Sequence, residues 1–278
     1  MRAVQNTSVR DFIICYKNAL ESALGQTLTV INTAKQLKQN QSEKAEAPIV
    51  TMKRYELKYL IDPRQTDYLK QRLEGHMQAD RYGLTSIASL YYDTPDCRLV
   101  RASLEKPAFK EKIRLRSYGL ASGHSPVFLE LKRKAEGIVY KRRVQSTLPQ
   151  VEDFFACRGD ICKPGQINRE ITTFRDHYKA LEPTCLIIYD RTAYFEPDGD
   201  LRLTIDRNPR YRWEELNLTS SMEGTSLLPE SWTVLEVKVQ QAMPLWLCDI
   251  LSKGGIYQSG FSKYGAAYSR RFENAVAV

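Results

Sequence analysis

The sequence predicts an α+β protein built on antiparallel strands with flanking helices. Three observations lead there. Short segments that alternate apolar and polar side chains recur throughout the chain after residue 51. Turn signals such as Ala135-Glu136-Gly137 and Pro197-Asp198-Gly199-Asp200 separate neighbouring segments. No repeat of roughly 20–50 residues is present, which argues against solenoids and propellers.

Residues 1–51 stand apart. Phe12, Tyr16, Leu20, Ala23, Leu28 and Ile31 recur near helical spacing, but Gly25 and the β-branched Thr27, Thr29 and Val30 weaken a helix there. Gln39–Pro48 is polar and reads as a linker. We therefore expect an N-terminal extension over 1–51, helical or partly disordered, and one domain over 52–278.

Within that domain Lys53–Ile61 alternates as a strand, and Asp62-Pro63 supplies an N-cap and first-turn proline for a helix to about Leu73. Ser86–Asp93 is the next strand, stopped by Thr94-Pro95-Asp96. Phe109–Tyr118, Val127–Lys134 and Ile138–Leu148 read as strands, and Val151–Cys157 and Ile167–Leu181 as helices. Strands return at Cys185–Phe195, Leu201–Arg207 and Trp232–Gln240. Pro244–Leu251 and Lys263–Phe272 close the chain as helices.

Composition narrows the function. The 278 residues carry 41 Lys and Arg against 33 Asp and Glu, a net charge of +8, so an anionic ligand or partner is expected. No apolar run approaches the roughly 18 residues of a membrane span. The three histidines form no HExxH motif, and the six cysteines form no CxxC pair. No GxxxxGK[ST], GxGxxG or GxSxG motif is present. The N-terminus lacks an apolar signal core, so we expect a cytoplasmic location and free thiols. Tyr91, Tyr92, Tyr211 and Trp213 offer aromatic surfaces, but no RRM, KH or helix-turn-helix signature accompanies them, and we expect no nucleic-acid partner.

Residues two apart on a strand share a face. On strand after strand that face carries charge: Glu56 with Lys58, Arg114 with Arg116, Glu130 with Lys132, Lys141 with Arg143, Arg202 with Asp206, Glu236 with Lys238, and Arg191 besides. An ordinary sheet with one wet face accounts for any single strand. Across six strands the excess of Arg and Lys would repel unless an anion binds among them. The pattern therefore leaves two arrangements: a wet-faced sheet, or a barrel with apolar walls outward and charge inward. A phosphate chain suits the second, because Arg gives bidentate donors, Lys a point charge, and the few carboxylates can hold a hard cation.

The strings RYELKYLID, SLYYDTPD, KIRLRSYG, FLELKRK with VYKRR, YDRTAYF, LRLTID, VLEVKV and GFSKYGAAY occur in this order. Together they resemble the VTC catalytic domain, the polyphosphate polymerase branch of the triphosphate tunnel metalloenzymes. The resemblance runs from Met52 to about Phe272. It implies a closed antiparallel eight-stranded β-barrel with a charged lumen and flanking helices. It implies a metal-dependent phosphotransferase, using Mn²⁺ or Mg²⁺, that moves the γ-phosphate of ATP or another nucleoside triphosphate onto polyphosphate. By motif, Lys58, Arg114, Arg116, Lys263 and Glu236 are the implied catalytic residues, with Glu236 the metal ligand. Lys132, Lys141, Tyr189, Arg191, Arg202 and Ser262 are the implied substrate-binding residues. Arg143 and Lys238 join them by sharing their faces. Tunnel hydrolases begin with ExExK, whereas Arg54 stands at the first glutamate position here. That departure matches the polymerase branch better than the hydrolase branch; a tunnel triphosphatase and a non-enzymatic polyphosphate-binding module are the alternatives. Without a membrane segment or a phosphate-sensing domain, a stand-alone soluble domain is expected. Moving these cations indoors leaves the exterior near neutral, which further weakens a nucleic-acid reading.

Overall fold

A computed structural model describes residues 55–276 except 106, 124 and 137. The expected extension, its linker and Arg54 lie outside the described residues. The strands are β1 (Tyr55–Ile61), β2 (Gln78–Ala79), β3 (Thr85–Asp93), β4 (Phe109–Tyr118), β5 (Val127–Ala135), β6 (Ile138–Ser146), β7 (Glu182–Phe195), β8 (Arg202–Arg212), β9 (Thr225–Ser226) and β10 (Thr233–Val239). The helices are α1 (Pro63–Leu73), α2 (Arg98–Leu104), α3 (Leu148–Phe155), α4 (Gln166–Tyr178), α5 (Leu245–Lys253) and α6 (Lys263–Val276).

Eight strands pair antiparallel in the order β1-β10-β8-β7-β3-β4-β5-β6, and β2 and β9 extend β7 and β8. The number and antiparallel sense match the expectation. The closed ring does not: among the described residues no ladder joins β6 to β1. Alternation brings Lys141 and Arg143 of β6 and Lys58 of β1 to that seam. A ladder there would add to the like charges that already stand opposite one another between β4, β5 and β6. The seam is crossed by an ion pair instead. Lys132 Nζ of β5 lies 2.5 Å from Glu56 Oε2 of β1, so the sheet curls far enough for β5 and β1 to meet through side chains.

The outer face is apolar and helix-covered. On one side Ile61, Leu203, Ile205, Leu235 and Val237 pack under Leu69 of α1 and Leu247 of α5. On the other, Ile113, Leu115, Leu129, Leu131 and Ile188 pack under Phe154 of α3 and Phe174 of α4. Each fully buried side chain of this size contributes about 1.5–3 kcal/mol, so these two layers supply most of the stabilisation. A third cluster lies on the concave face. Ile87, Tyr91, Ile187, Tyr189 and Tyr211 meet Tyr264 and Ala267 of α6 there. The helix thus covers part of that face, and charged side chains occupy the remainder.

Local signals explain the helix starts. Asp62 and Gln65 form a capping box at α1, with bonds of 2.8 and 3.1 Å. Helix α2 is different. Its N-cap position, Cys97, has a left-handed φ of 56° and offers no side-chain bond. Asp93, four residues upstream and fully buried, caps it instead. The Asp93 carboxylate accepts from the amides of Thr94 (2.8 Å), Leu99 (2.8 Å) and Val100 (3.0 Å). It also accepts from the Tyr264 hydroxyl at 2.9 Å, so one carboxylate ties β3, α2 and α6.

Asp93→Ala strands several buried donors and should lower the stability by about 3 kcal/mol, whereas Tyr264→Phe should cost about 1 kcal/mol. Urea unfolding of the two variants measures both.

Candidate functional site

The concave face carries the charge. Rigid strands hold these side chains, so their positions follow from register rather than from loops. The network has three parts.

Glu130 of β5 is almost fully buried and lies opposite Arg114 of β4 and Arg143 of β6. Its Oε2 accepts from Arg114 Nε at 2.9 Å and is 3.7 Å from Arg116 Nη1. Its Oε1 lies 2.7 Å from Lys141 Nζ and 3.6 Å from Arg143 Nη1. The Lys141 contact is an ion contact lacking hydrogen-bond alignment, so Oε1 accepts no hydrogen bond. Burial raises the Glu130 pKa, but Arg114, Arg116 and Lys141 outweigh it and hold the carboxyl far below the usual range. Lys141 moves down to about 8, because burial and the two guanidiniums outweigh Glu130. Tyrosines complete this part. Tyr91 Oη accepts from Arg114 at 3.0 Å, and Tyr189 Oη accepts from Arg116 at 3.0 Å.

Asp206 of β8 is fully buried. Arg191 donates to both its oxygens at 2.6 and 2.9 Å, and Lys263 Nζ lies 2.5 Å away at the start of α6. Burial raises the Asp206 pKa, and Lys263 and Arg191 bring it down to about 2. Lys263 Nζ also sits 4.6 Å from the Tyr189 ring centre.

Glu236 of β10 forms the third part. Its Oε2 is 3.7 Å from Arg191 and 3.8 Å from Lys238, so these contacts are electrostatic and its lone pairs stay available. Burial raises its pKa, but Lys238, Lys58, Arg191 and Lys132 together hold it well below the usual carboxylate value. Lys58 lies opposite it in register, and its ammonium makes no ion pair or hydrogen bond among the described residues. Thr204 lies opposite on the other side, and its buried hydroxyl has no hydrogen-bond partner.

Lys58, Arg114, Arg116, Lys132, Lys141, Arg143, Tyr189, Arg191, Glu236, Lys238 and Lys263 thus lie on one charged face of the sheet. Two expected residues do not join them. Arg202 sits at the exposed start of β8 and donates to the carbonyls of Leu201 (3.0 Å) and Gly199 (3.4 Å), which ties it to its own turn. Ser262 Oγ accepts from Gly265 N at 3.3 Å, a cap for α6. Residues missed by motif are Glu130 and Asp206 as counter-ions, Tyr91 as the partner of Arg114, and Lys112. Each shares its face with a residue that was named, so alternation contained the signal.

A divalent cation finds limited protein ligation. Among the described residues no group of three or more His, Cys, Asp or Glu converges. Glu236 offers hard oxygens without a hydrogen bond, the Thr204 hydroxyl is close in register, and Glu56 is committed to Lys132. Mg²⁺ and Mn²⁺ bind through one or two carboxylates plus substrate phosphates, and this donor set fits that mode rather than a protein cage.

The family model for the VTC domain matches residues 53–272. No curated protein sequence matches the chain. Among solved structures, a candidate adenylate cyclase from Bacillus halodurans aligns with a TM-score of 0.46 and 13% identity, covering 76% of this chain and 96% of that one. A Hippeastrum candidate adenylyl cyclase, described as having a dominant triphosphatase activity, aligns with a TM-score of 0.46 and 19% identity over 77% and 94% of the two chains. A candidate adenylate cyclase from Vibrio parahaemolyticus gives 0.41 and 10% identity over 78% and 98%.

Asp206 generates a pH prediction. Its folded pKa of about 2 lies below the ordinary aspartate value. The stabilisation is therefore fully present above about pH 4 and is lost as pH falls through about 2. Urea unfolding between these limits should show a loss of about 2 kcal/mol in the wild type. Asp206→Asn should show a shallower acid dependence.

Proposed function

Because the chain belongs to the VTC domain family, we propose that it transfers the γ-phosphate of a nucleoside triphosphate, ATP, onto a phosphate or polyphosphate acceptor in the channel. The observation that carries this reading is the excess of cations over carboxylates on one concave, strand-borne face. Glu130 and Asp206 balance part of that charge. The remainder matches an extended polyanion better than water or a single small anion.

Arg114 and Arg116 would grip phosphate oxygens from β4, each held in place by a tyrosine hydroxyl and by Glu130. Lys132 and Lys141 add point charges from β5 and β6, and Lys263 and Arg191 from the opposite wall. Held this way, a triphosphate lies extended with its γ-phosphorus in line with an incoming oxygen. Glu236, Thr204 and substrate oxygens would hold Mn²⁺ or Mg²⁺, which when bound draws charge from the phosphates. The cations stabilise charge that develops on the transferred group. A phosphate acceptor is already anionic at neutral pH, so the scheme needs no side-chain base. Neither does it need a covalent enzyme intermediate.

Incubation of the full chain with ATP and Mn²⁺ tests this, with products resolved by chain length. Polyphosphate and ADP are expected. ADP with free phosphate and no chain would replace the reading by a tunnel triphosphatase. Tight polyphosphate binding without turnover would replace it by a binding module. Arg114→Ala and Lys263→Ala should each lower turnover by about 10²–10³-fold while the far-ultraviolet circular dichroism stays unchanged.

A further inference from the structure

Lys112 of β4 occupies an unusual position. It shares its face with Arg114 and Arg116, yet its ammonium has no ion pair or hydrogen bond among the described residues. Every cation opposite or beside it in register is unfavourable. Lys132 stands directly across on β5, and Lys110 and Arg114 flank it on its own strand. Lys58 of β1 acts on it from across the channel.

Among the described residues, the carboxylates nearest it in register are committed elsewhere. Glu130 beside Lys132 holds Arg114 and Lys141. Glu56 holds Lys132. Asp93 at the end of β3 accepts from the α2 backbone and Tyr264, and Tyr91 is bound to Arg114. Helix α2, packed against β4, sends Arg101 to Asp96 and Arg98 over Tyr178. The side chain is half-buried within the channel walls. Like charges directly opposite on neighbouring strands are destabilising, so something outside the chain must justify a lysine here.

We propose that Lys112 is a further phosphate-binding residue, placed so that a phosphate group lies between it, Lys132 and Lys58. The proposal rests on the channel being the triphosphate site. It adds a coupling to that site. Enclosure, together with Lys58, Lys132, Arg114 and Lys110, pushes the Lys112 pKa well below the usual lysine value. In the empty channel its Nζ holds its proton less tightly than an ordinary lysine. An entering polyanion reverses the local field, and Nζ then holds its proton more tightly. Anion binding is then accompanied by proton uptake, and affinity falls as pH rises.

The test is titration calorimetry of the full chain with tripolyphosphate at pH 7.5, in two buffers of different ionisation enthalpy. The wild type should take up protons on binding. Lys112→Met should bind about tenfold or more weakly, with less uptake, while its empty form melts at the same or a higher temperature because a repelled ammonium is gone. Lys112→Arg should keep the affinity and still lose the uptake, since guanidinium does not titrate. A Lys112→Met variant with wild-type affinity and uptake overturns the proposal and leaves the channel reading intact. So does one with a lower melting temperature and unchanged affinity, which would make Lys112 structural. No binding by the wild type overturns both.

Discussion

Glu130 is the interaction on which the channel depends. One carboxylate on β5 meets two guanidiniums from β4 and an ammonium and a guanidinium from β6. Cations on adjacent strands would otherwise drive those strands apart. A buried charge is costly when unpaired and tolerable when surrounded by opposite charge. Glu130 meets that condition for itself while leaving its partners incompletely neutralised, because four cations share a single negative charge. Asp206 plays the same part on the opposite wall for Arg191 and Lys263. The interior is therefore held together by fewer anions than cations, and that shortfall is the attraction a polyanion meets.

Such an interior requires the apolar work to be done elsewhere. The two outer layers under α1 and α5 and under α3 and α4 contain the large aliphatic and phenylalanine side chains. The inner cluster contains tyrosines whose rings pack with α6 while their hydroxyls reach the charged layer. Tyr91 stacks on Tyr264 at 4.4 Å and binds Arg114; Tyr264 in turn binds Asp93. The same ring system thus joins the cap of α2 to the orientation of a channel arginine.

Much of this was legible in the sequence, because strand alternation assigns a face to every residue. The helices under the sheet and the charged face followed from it. The failures share a physical origin. Alternation says which face a residue takes but not which strand edges pair, so closure over β6 and β1 could not be read from it. Helix α2 was missed because its cap comes from Asp93 upstream, and Cys97 in the left-handed region carries no capping oxygen. Strand β8 runs on to Arg212, past the expected end at Arg207. Asn208 has a φ of 46°, and a register shift falls between Ile188 and Asp190, so the alternation breaks and Tyr211 re-enters the concave face. Within the site, parity located the cations but could not tell which of them a carboxylate would grip. Arg202 has the right parity and is nevertheless held by its own turn.

The seam between β1 and β6 has a consequence for the channel's girth. Where hydrogen-bonded strands close a ring, circumference is set by strand spacing and cannot vary by less than a strand. Here the last gap is spanned by the Glu56–Lys132 ion pair. That pair is part-buried, so salt screens it less than it would an exposed pair. The separation of β1 from the far end of the sheet is thus set by side-chain charge rather than by a ladder, while the hydrogen-bonded remainder of the wall keeps its spacing.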